Sequence, residues 1–206
     1  MACFLTFEGL DGSGKSTHLR AAAAWFAARN LPHLVTHEPG GTPLAQAIRE
    51  VFLAPKWGGI DGTVELLLVF ASRRQHLIES IEPELARGRH VLCDRFTDAT
   101  FAYQGGGRGF DLTVLSQLEN WVQQGRQPDL TLWFELAPAL AAERRAAARA
   151  PDRFERQDEA FFERVHGAYA ARFASRPQRF ARIDAARPRD AVLAQVLAAV
   201  QSRALK

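Results

Sequence analysis

Gly9-Leu-Asp-Gly-Ser-Gly-Lys-Ser16 carries the spacing G-x-x-x-x-G-K-[ST]. Its glycines let the backbone curl until successive N–H groups point at phosphate oxygens, and a helix beginning there adds its positive end to the same place. Lys15 is placed to reach the β- and γ-phosphates, and the Ser16 hydroxyl to ligate the Mg²⁺ that bridges them. The chemistry predicted is the binding of ATP or a similar triphosphate by Gly9, Leu10, Asp11, Gly12, Ser13, Gly14, Lys15, Ser16 and Thr17. Lysine occurs only at positions 15, 56 and 206, so one of the rare ammonium groups stands where a triphosphate needs it. A glycine-rich turn alone requires neither Lys15 nor Ser16.

Such a motif is meaningful only between a strand and a helix. The apolar run Cys3–Phe7 precedes it and the helical run from His18 to Arg29 follows. Further strands are predicted at Leu34–His37, His90–Cys93, Thr131–Glu135 and Phe180–Ile183, each separated from the next by an amphipathic segment. Alternation of this kind predicts an α/β fold with a parallel sheet and helices on both faces, ligands collecting at the carboxyl ends of the strands. Glu38-Pro-Gly-Gly-Thr42 follows the second strand and Asp94-Arg95 the third.

The 206 residues, 47% of them hydrophobic and 24% charged, suit one domain with a large core. The modest net charge of +3 and the absence of a basic stripe argue against nucleic acid as a partner. No leader-like or membrane-spanning run is evident, so a cytoplasmic location is expected. Cys3 and Cys93 fall in apolar runs without metal-ligand spacing and read as reduced core thiols.

Other residues suggest a second substrate site. Arg49 follows the Glu38-Pro39 turn, and Arg73 and Arg74 interrupt an otherwise apolar helical run from Glu65 to Arg87. Guanidinium groups in an apolar setting need acceptors, which a bound base or phosphate can supply. Thr100, Tyr103 and Gln104 offer hydrogen bonds and a flat wall after Asp94-Arg95. Singly, each fits a salt bridge or a core aromatic; their joint arrival at the ends of adjacent strands favours a pocket. The run Leu66 to Ala71 fits either core or a surface between two copies of the chain.

Phe7-Glu-Gly-Leu-Asp-Gly-Ser-Gly-Lys-Ser, Glu38-Pro-Gly-Gly-Thr, Ala71-Ser-Arg-Arg, Asp94-Arg95, Ala102-Tyr-Gln-Gly and Gln127-Pro-Asp-Leu-Thr131 together closely resemble bacterial thymidylate kinase. The resemblance spans nearly the whole chain. It implies a P-loop NTPase fold with a five-stranded parallel sheet, transfer of a phosphoryl group from ATP·Mg²⁺ to dTMP, and a homodimer. It also implies a single kinase domain, 1–206, with a monophosphate-binding region at about 37–75 and a lid at about 143–157.

Carried across, the resemblance has Arg95 grip the dTMP phosphate, Asp11 accept from the 3′-hydroxyl, and Arg73 donate to a thymine carbonyl. Thr100 and Gln104 complete the polar edge, and Tyr103 closes the space of a ribose 2′-hydroxyl. Glu38, Pro39, Arg49, Val69 and Phe70 belong to the same pocket. Some thymidylate kinases carry an arginine in the phosphate loop where this chain has Gly12. The lid must then supply that charge from among Arg144, Arg145, Arg149, Arg153 and Arg156. Arg149 and Arg153, flanking the break at Pro151, are the preferred catalytic pair beside Lys15 and Arg95, and Arg144 joins the ATP side. Val69 replaces the usual stacking phenylalanine, Ala99 a serine, His37 an arginine and Glu135 an aspartate, which predicts weaker hold on the base. A kinase for dUMP or a purine monophosphate, or a non-catalytic nucleotide-binding protein, are the alternative readings.

Overall fold

The structure is a computed structural model describing residues 2–57, 59–146 and 157–204. Five parallel strands, β1 (Phe4–Glu8), β2 (His33–His37), β3 (His90–Asp94), β4 (Leu130–Glu135) and β5 (Phe180–Asp184), form one sheet in the order β2-β3-β1-β4-β5. All five lie where the apolar runs predicted them. β1 is buried along its whole length and β4 nearly so, whereas the edge strands β2 and β5 are only partly covered. Central strands sandwiched by helices read as continuous apolar runs, because both faces leave water. The polar groups they carry are paired inside the sheet: the Thr6 and Thr131 hydroxyls meet at 2.9 Å across β1 and β4.

Chain order explains the cleft. β1 lies between β3 and β4, so connections leave it toward opposite sides, and a crevice opens at the carboxyl ends of β1 and β3. Helix α1 (Lys15–Ala27) starts inside the glycine loop, earlier than the predicted run from His18, with Gly14 in the left-handed region as its N-cap. Thr42 caps α2 (Pro43–Leu53), its hydroxyl accepting from the Ala45 amide, with Pro43 at the first helical position. Asp61 caps α3 (Gly62–His76), which continues through a widened π turn (Leu77–Ile81) into α4 (Glu82–Ala86). The single run expected from Glu65 to Arg87 is thus one rod with an inserted bulge.

After β3 come a single helical turn, α5 (Thr97–Thr100), and a wide turn over Phe101–Gly107. The helices α6 (Leu112–Gln123), α7 (Pro138–Ala146), α8 (Glu159–Ser175) and α9 (Arg189–Ala204) complete the chain. α8 lies very close to the wide turn: a Cβ on Gly106 would sit 2.5 Å from the Ala168 Cβ. Only glycine permits that approach, and it brings the α8 side chains up to the carboxyl end of β1.

Candidate active site

A cavity of about 400 Å³ opens at the carboxyl ends of β1, β2 and β3. The phosphate loop forms one end of it. Gly9, Gly12 and Gly14 all have positive φ, as a loop that turns its amides inward requires. At Gly12 φ is +88°, and a Cβ would collide with the Ala141 carbonyl oxygen of α7, so the loop and α7 touch backbone to side-chain-free backbone. Lys15 donates to the Leu10 carbonyl at 2.9 Å and lies 3.5 Å from the Asp11 carboxylate. Burial and the nearby Arg95 lower the Lys15 ammonium, with Asp11 and Asp94 opposing. Ser16 donates to Asp94 Oδ2 at 2.7 Å. The Ser13 hydroxyl is buried in the loop without a hydrogen-bond partner among the described residues.

Arg95 crosses the centre of the cleft. It has a left-handed backbone, φ +70°, that a non-glycine residue adopts only when its surroundings impose it. Those surroundings are visible: its amide donates to the Phe7 carbonyl at 3.0 Å, and its own carbonyl accepts from the Cys93 thiol at 3.0 Å. Nη2 donates to Asp11 at 2.8 Å and to the Tyr103 hydroxyl at 3.1 Å, while Nη1 donates to the Tyr169 hydroxyl at 3.1 Å. Burial would raise the Asp11 carboxyl, but Arg95 and Lys15 pull it well below the usual carboxylate range.

The far end is a fixed polar network. Arg73, 1% exposed, donates from Nε to Glu38 at 2.8 Å and from Nη2 to the Thr100 hydroxyl at 2.9 Å. Its Nη1 is buried with no partner among the described residues. A buried guanidinium nitrogen without an acceptor is costly unless a ligand oxygen meets it. Glu38 also faces His76 at 3.0 Å, and His76 reaches the Thr36 hydroxyl at 2.7 Å. Burial would raise Glu38, yet Arg73 and His76 hold it below the ordinary carboxylate value. Gln104 donates to the buried Glu65 at 2.9 Å.

Asp11, Glu38, Pro39, Arg49, Val69, Arg73, Arg95, Thr100, Tyr103 and Gln104 all line the cavity, with Ser16, His37 and Ala99. Phe70 does not. It packs with Leu66, Phe101, Leu115 and Val122, a rotation of about 100° from Val69, and meets the site only through its ring, 5.1 Å from the Arg73 guanidinium. Arg74, expected to need a ligand acceptor, donates instead to the Val122 carbonyl of α6 at 3.1 Å. Arg144 donates to the Ala185 carbonyl after β5 at 2.9 Å. Arg145 stands over the loop, 3.3 Å from the Asp11 carbonyl, with its guanidinium 4.2 Å above the Phe162 ring. Arg149, Arg153 and Arg156 lie outside the described residues.

Sequence reasoning gave no role to Glu8, Glu65, His76, Asp94 or Tyr169, all of which touch the site residues. Glu65, Val69, Arg73 and His76 share one face of α3 at helical spacing, a signal readable before folding. Asp94 ends a strand beside the loop, the usual place for a carboxylate serving Mg²⁺. Nothing local marks Tyr169, which is 74 positions from its Arg95 partner.

Residues 7–196 match the family model described as thymidylate kinase. The chain is 56% identical over 208 residues to a thymidylate kinase of Albidiferax ferrireducens, covering 97% of this chain and 95% of the relative. It is 53% identical to one from Paracidovorax citrulli, with 97% and 93% covered. The fold is similar to a crystal structure of thymidylate kinase from Ehrlichia chaffeensis, with a TM-score of 0.78, 31% identity, and 97% and 99% coverage.

Proposed function

The chain belongs to the thymidylate kinase family, and we propose that it transfers the γ-phosphoryl group of ATP to dTMP, giving dTDP and ADP. The observation that carries this reading is the shared cleft. A phosphate loop stands at one end of it and a buried arginine with one unsatisfied nitrogen at the other. A nucleoside monophosphate laid between them would put its base carbonyl on Arg73 Nη1 and its phosphate on Arg95.

The phosphate loop amides and Lys15 would hold the β- and γ-phosphates, and Arg95 would fix the acceptor phosphate by a planar two-point contact. Asp11 would accept from the 3′-hydroxyl, Thr100 and Gln104 would face the base edge, and Tyr103 would fill the space of a 2′-hydroxyl. The phosphate of dTMP is already anionic, so no side chain has to remove a proton. Alignment and charge stabilisation carry the reaction.

The donor chemistry at the loop suits Mg²⁺: Ser16 and Asp94 are hard oxygen groups 2.7 Å apart. Among the described residues no cluster of three or more His, Cys, Asp or Glu side chains could hold a metal alone. Ser16 would therefore bind the ion together with phosphate oxygens and waters, with Asp94 alongside. Bound there, the ion supplies positive charge to the phosphates. Arg149 and Arg153 of the lid remain the proposed partners of the transferring phosphoryl group, with Arg144 on the ATP side. Arg145 supports an arginine-bearing lid, since it already stands over the loop.

A homodimer is proposed on the exposed apolar side chains of α3 and α6, Val64, Leu67, Val114 and Trp121. Among the described residues no helix is long and apolar enough to cross a membrane, and a cytoplasmic site of action accords with the substrates. The test is ADP release with ATP·Mg²⁺ and, in turn, dTMP, dUMP, UMP, dCMP, dAMP and dGMP. Strong preference for dTMP is expected; better turnover of another monophosphate refutes the assignment.

A further inference from the structure

Behind Arg95 lies a second layer of contacts that no step of the transfer uses. Tyr169 projects from α8, fully buried, its ring stacked on Trp133 with centroids 6.5 Å apart. Its hydroxyl accepts from Arg95 Nη1 at 3.1 Å and donates to Glu8 Oε2 at 2.9 Å. Glu8, at the end of β1 and also fully buried, accepts the Phe96 amide on its other oxygen at 2.7 Å. One carboxylate thus secures Arg95 twice: through Tyr169 at the guanidinium, and through Phe96 at the next residue of the backbone.

The arrangement has a geometric purpose. A free arginine side chain explores many rotamers, and a planar two-point contact with a phosphate needs one of them. Asp11 and Tyr103 hold Nη2 from the cleft side, and among the described residues Tyr169 alone accepts from Nη1. The Tyr169 hydroxyl can serve Arg95 only as an acceptor, and its contact with Glu8 fixes the direction in which that lone pair points. Burial, and the charge of Asp98, raise Glu8, while Arg95 and the Tyr169 hydroxyl oppose the rise.

We propose that Tyr169, oriented by Glu8, is a positioning residue that sets the Arg95 guanidinium for the phosphate of the acceptor nucleotide. The proposal rests on the reading of Arg95 as the monophosphate grip. It predicts an effect confined to the phosphate, which a general packing role would not produce.

The test is titration calorimetry with two probes, dTMP and thymidine, which differ only by the phosphate. Tyr169→Phe keeps the ring and removes the hydroxyl. The wild type is expected to bind dTMP well ahead of thymidine, and Tyr169→Phe to narrow that preference roughly tenfold while thymidine stays within about twofold. Glu8→Ala, which removes the group that orients the Tyr169 hydroxyl, should act in the same direction and serves if Tyr169→Phe does not fold. In an Arg95→Ala background, Tyr169→Phe should add nothing. Equal losses for both probes, or an unchanged preference, would overturn the positioning role. No preference in the wild type would overturn the assignment of Arg95 and the proposal together.

Discussion

The two ends of the cleft are built differently. At the phosphate loop the chemistry is contiguous: Lys15 reaches a carbonyl five residues back and a carboxylate four residues back. At the acceptor end, Arg73 of α3 joins Glu38 after β2 and Thr100 of α5, across 35 and 27 positions. A contiguous site can lose a side chain and keep its backbone, because the loop is shaped by glycine torsions and strand pairing. An assembled site holds distant segments together by the same groups that bind the ligand. Removing one therefore disturbs folding and recognition at once.

Substitutions at the two ends should separate these behaviours. The largest effect is expected for Lys15→Ala: kcat should fall about 10³-fold or more with little change in melting temperature. A comparable loss of stability would contradict the contiguous reading. Next, Arg149→Ala and Arg153→Ala are each expected to slow turnover by roughly 10³-fold, by analogy with arginine fingers. If steady-state rates fall less than about threefold in both, the lid charge comes from elsewhere, with Arg145 the first residue to examine.

At the assembled end, Arg73→Ala leaves Glu38 buried without its guanidinium partner and with His76 alone on its other oxygen. Stability should drop by about 3–5 kcal/mol in denaturant titration, and KM for dTMP should rise by roughly 10²-fold. Either change without the other would split binding from assembly.

The pH dependence of stability probes the same long-range contacts. The Glu8 carboxyl is pushed from an ordinary 4.5 up to about 8, chiefly by burial. Between those values the folded chain holds a proton that the unfolded chain has lost. Its favourable contribution is complete below 4.5 and is withdrawn as pH rises through about 8. Glu38 runs the opposite way: held below 4.5, it stabilises above that value and loses its contribution as acid protonates it. The two carboxyls together favour mild acid, and Glu8→Gln should make the change of melting temperature from about pH 5 to about pH 8 less negative. An unchanged slope would mean Glu8 is ionised throughout.

The smallest effect is expected at Val69, which lines the cavity at the position where the family resemblance leads one to expect a stacking aromatic ring. Val69→Phe should lower KM for dTMP by roughly fivefold, the worth of about 1 kcal/mol of stacking. Equal KM values would show that the base is held by its polar edge alone.

The same contrast governs what could be read before folding. The strand, loop and start of α1 were legible because their signals lie within a few residues, although the capping role of Gly14 moved the helix start from His18 to Lys15. Most of the pocket was legible through the family resemblance, and it turned out to share one cavity. Phe70 lies outside the cavity lining, its ring 5.1 Å from the Arg73 guanidinium, since adjacency in sequence says nothing about helical face until the helix is oriented by its neighbours. Tyr169 was illegible for a stronger reason. It meets Glu8 across 161 positions, and its polar role depends on how closely α8 approaches the glycine turn.

The contact between Gly12 and the Ala141 carbonyl bears on how this lineage can change. By sequence alone, an arginine in the phosphate loop is one substitution away from Gly12. Here the first step is barred, because any side chain at position 12 meets α7 backbone and a torsion that L-residues resist. α7 would have to retract before an arginine could enter, and retraction alone brings no catalytic gain while drawing Arg145 off the loop. The helix that closes over the loop therefore also decides which side chains the loop can carry.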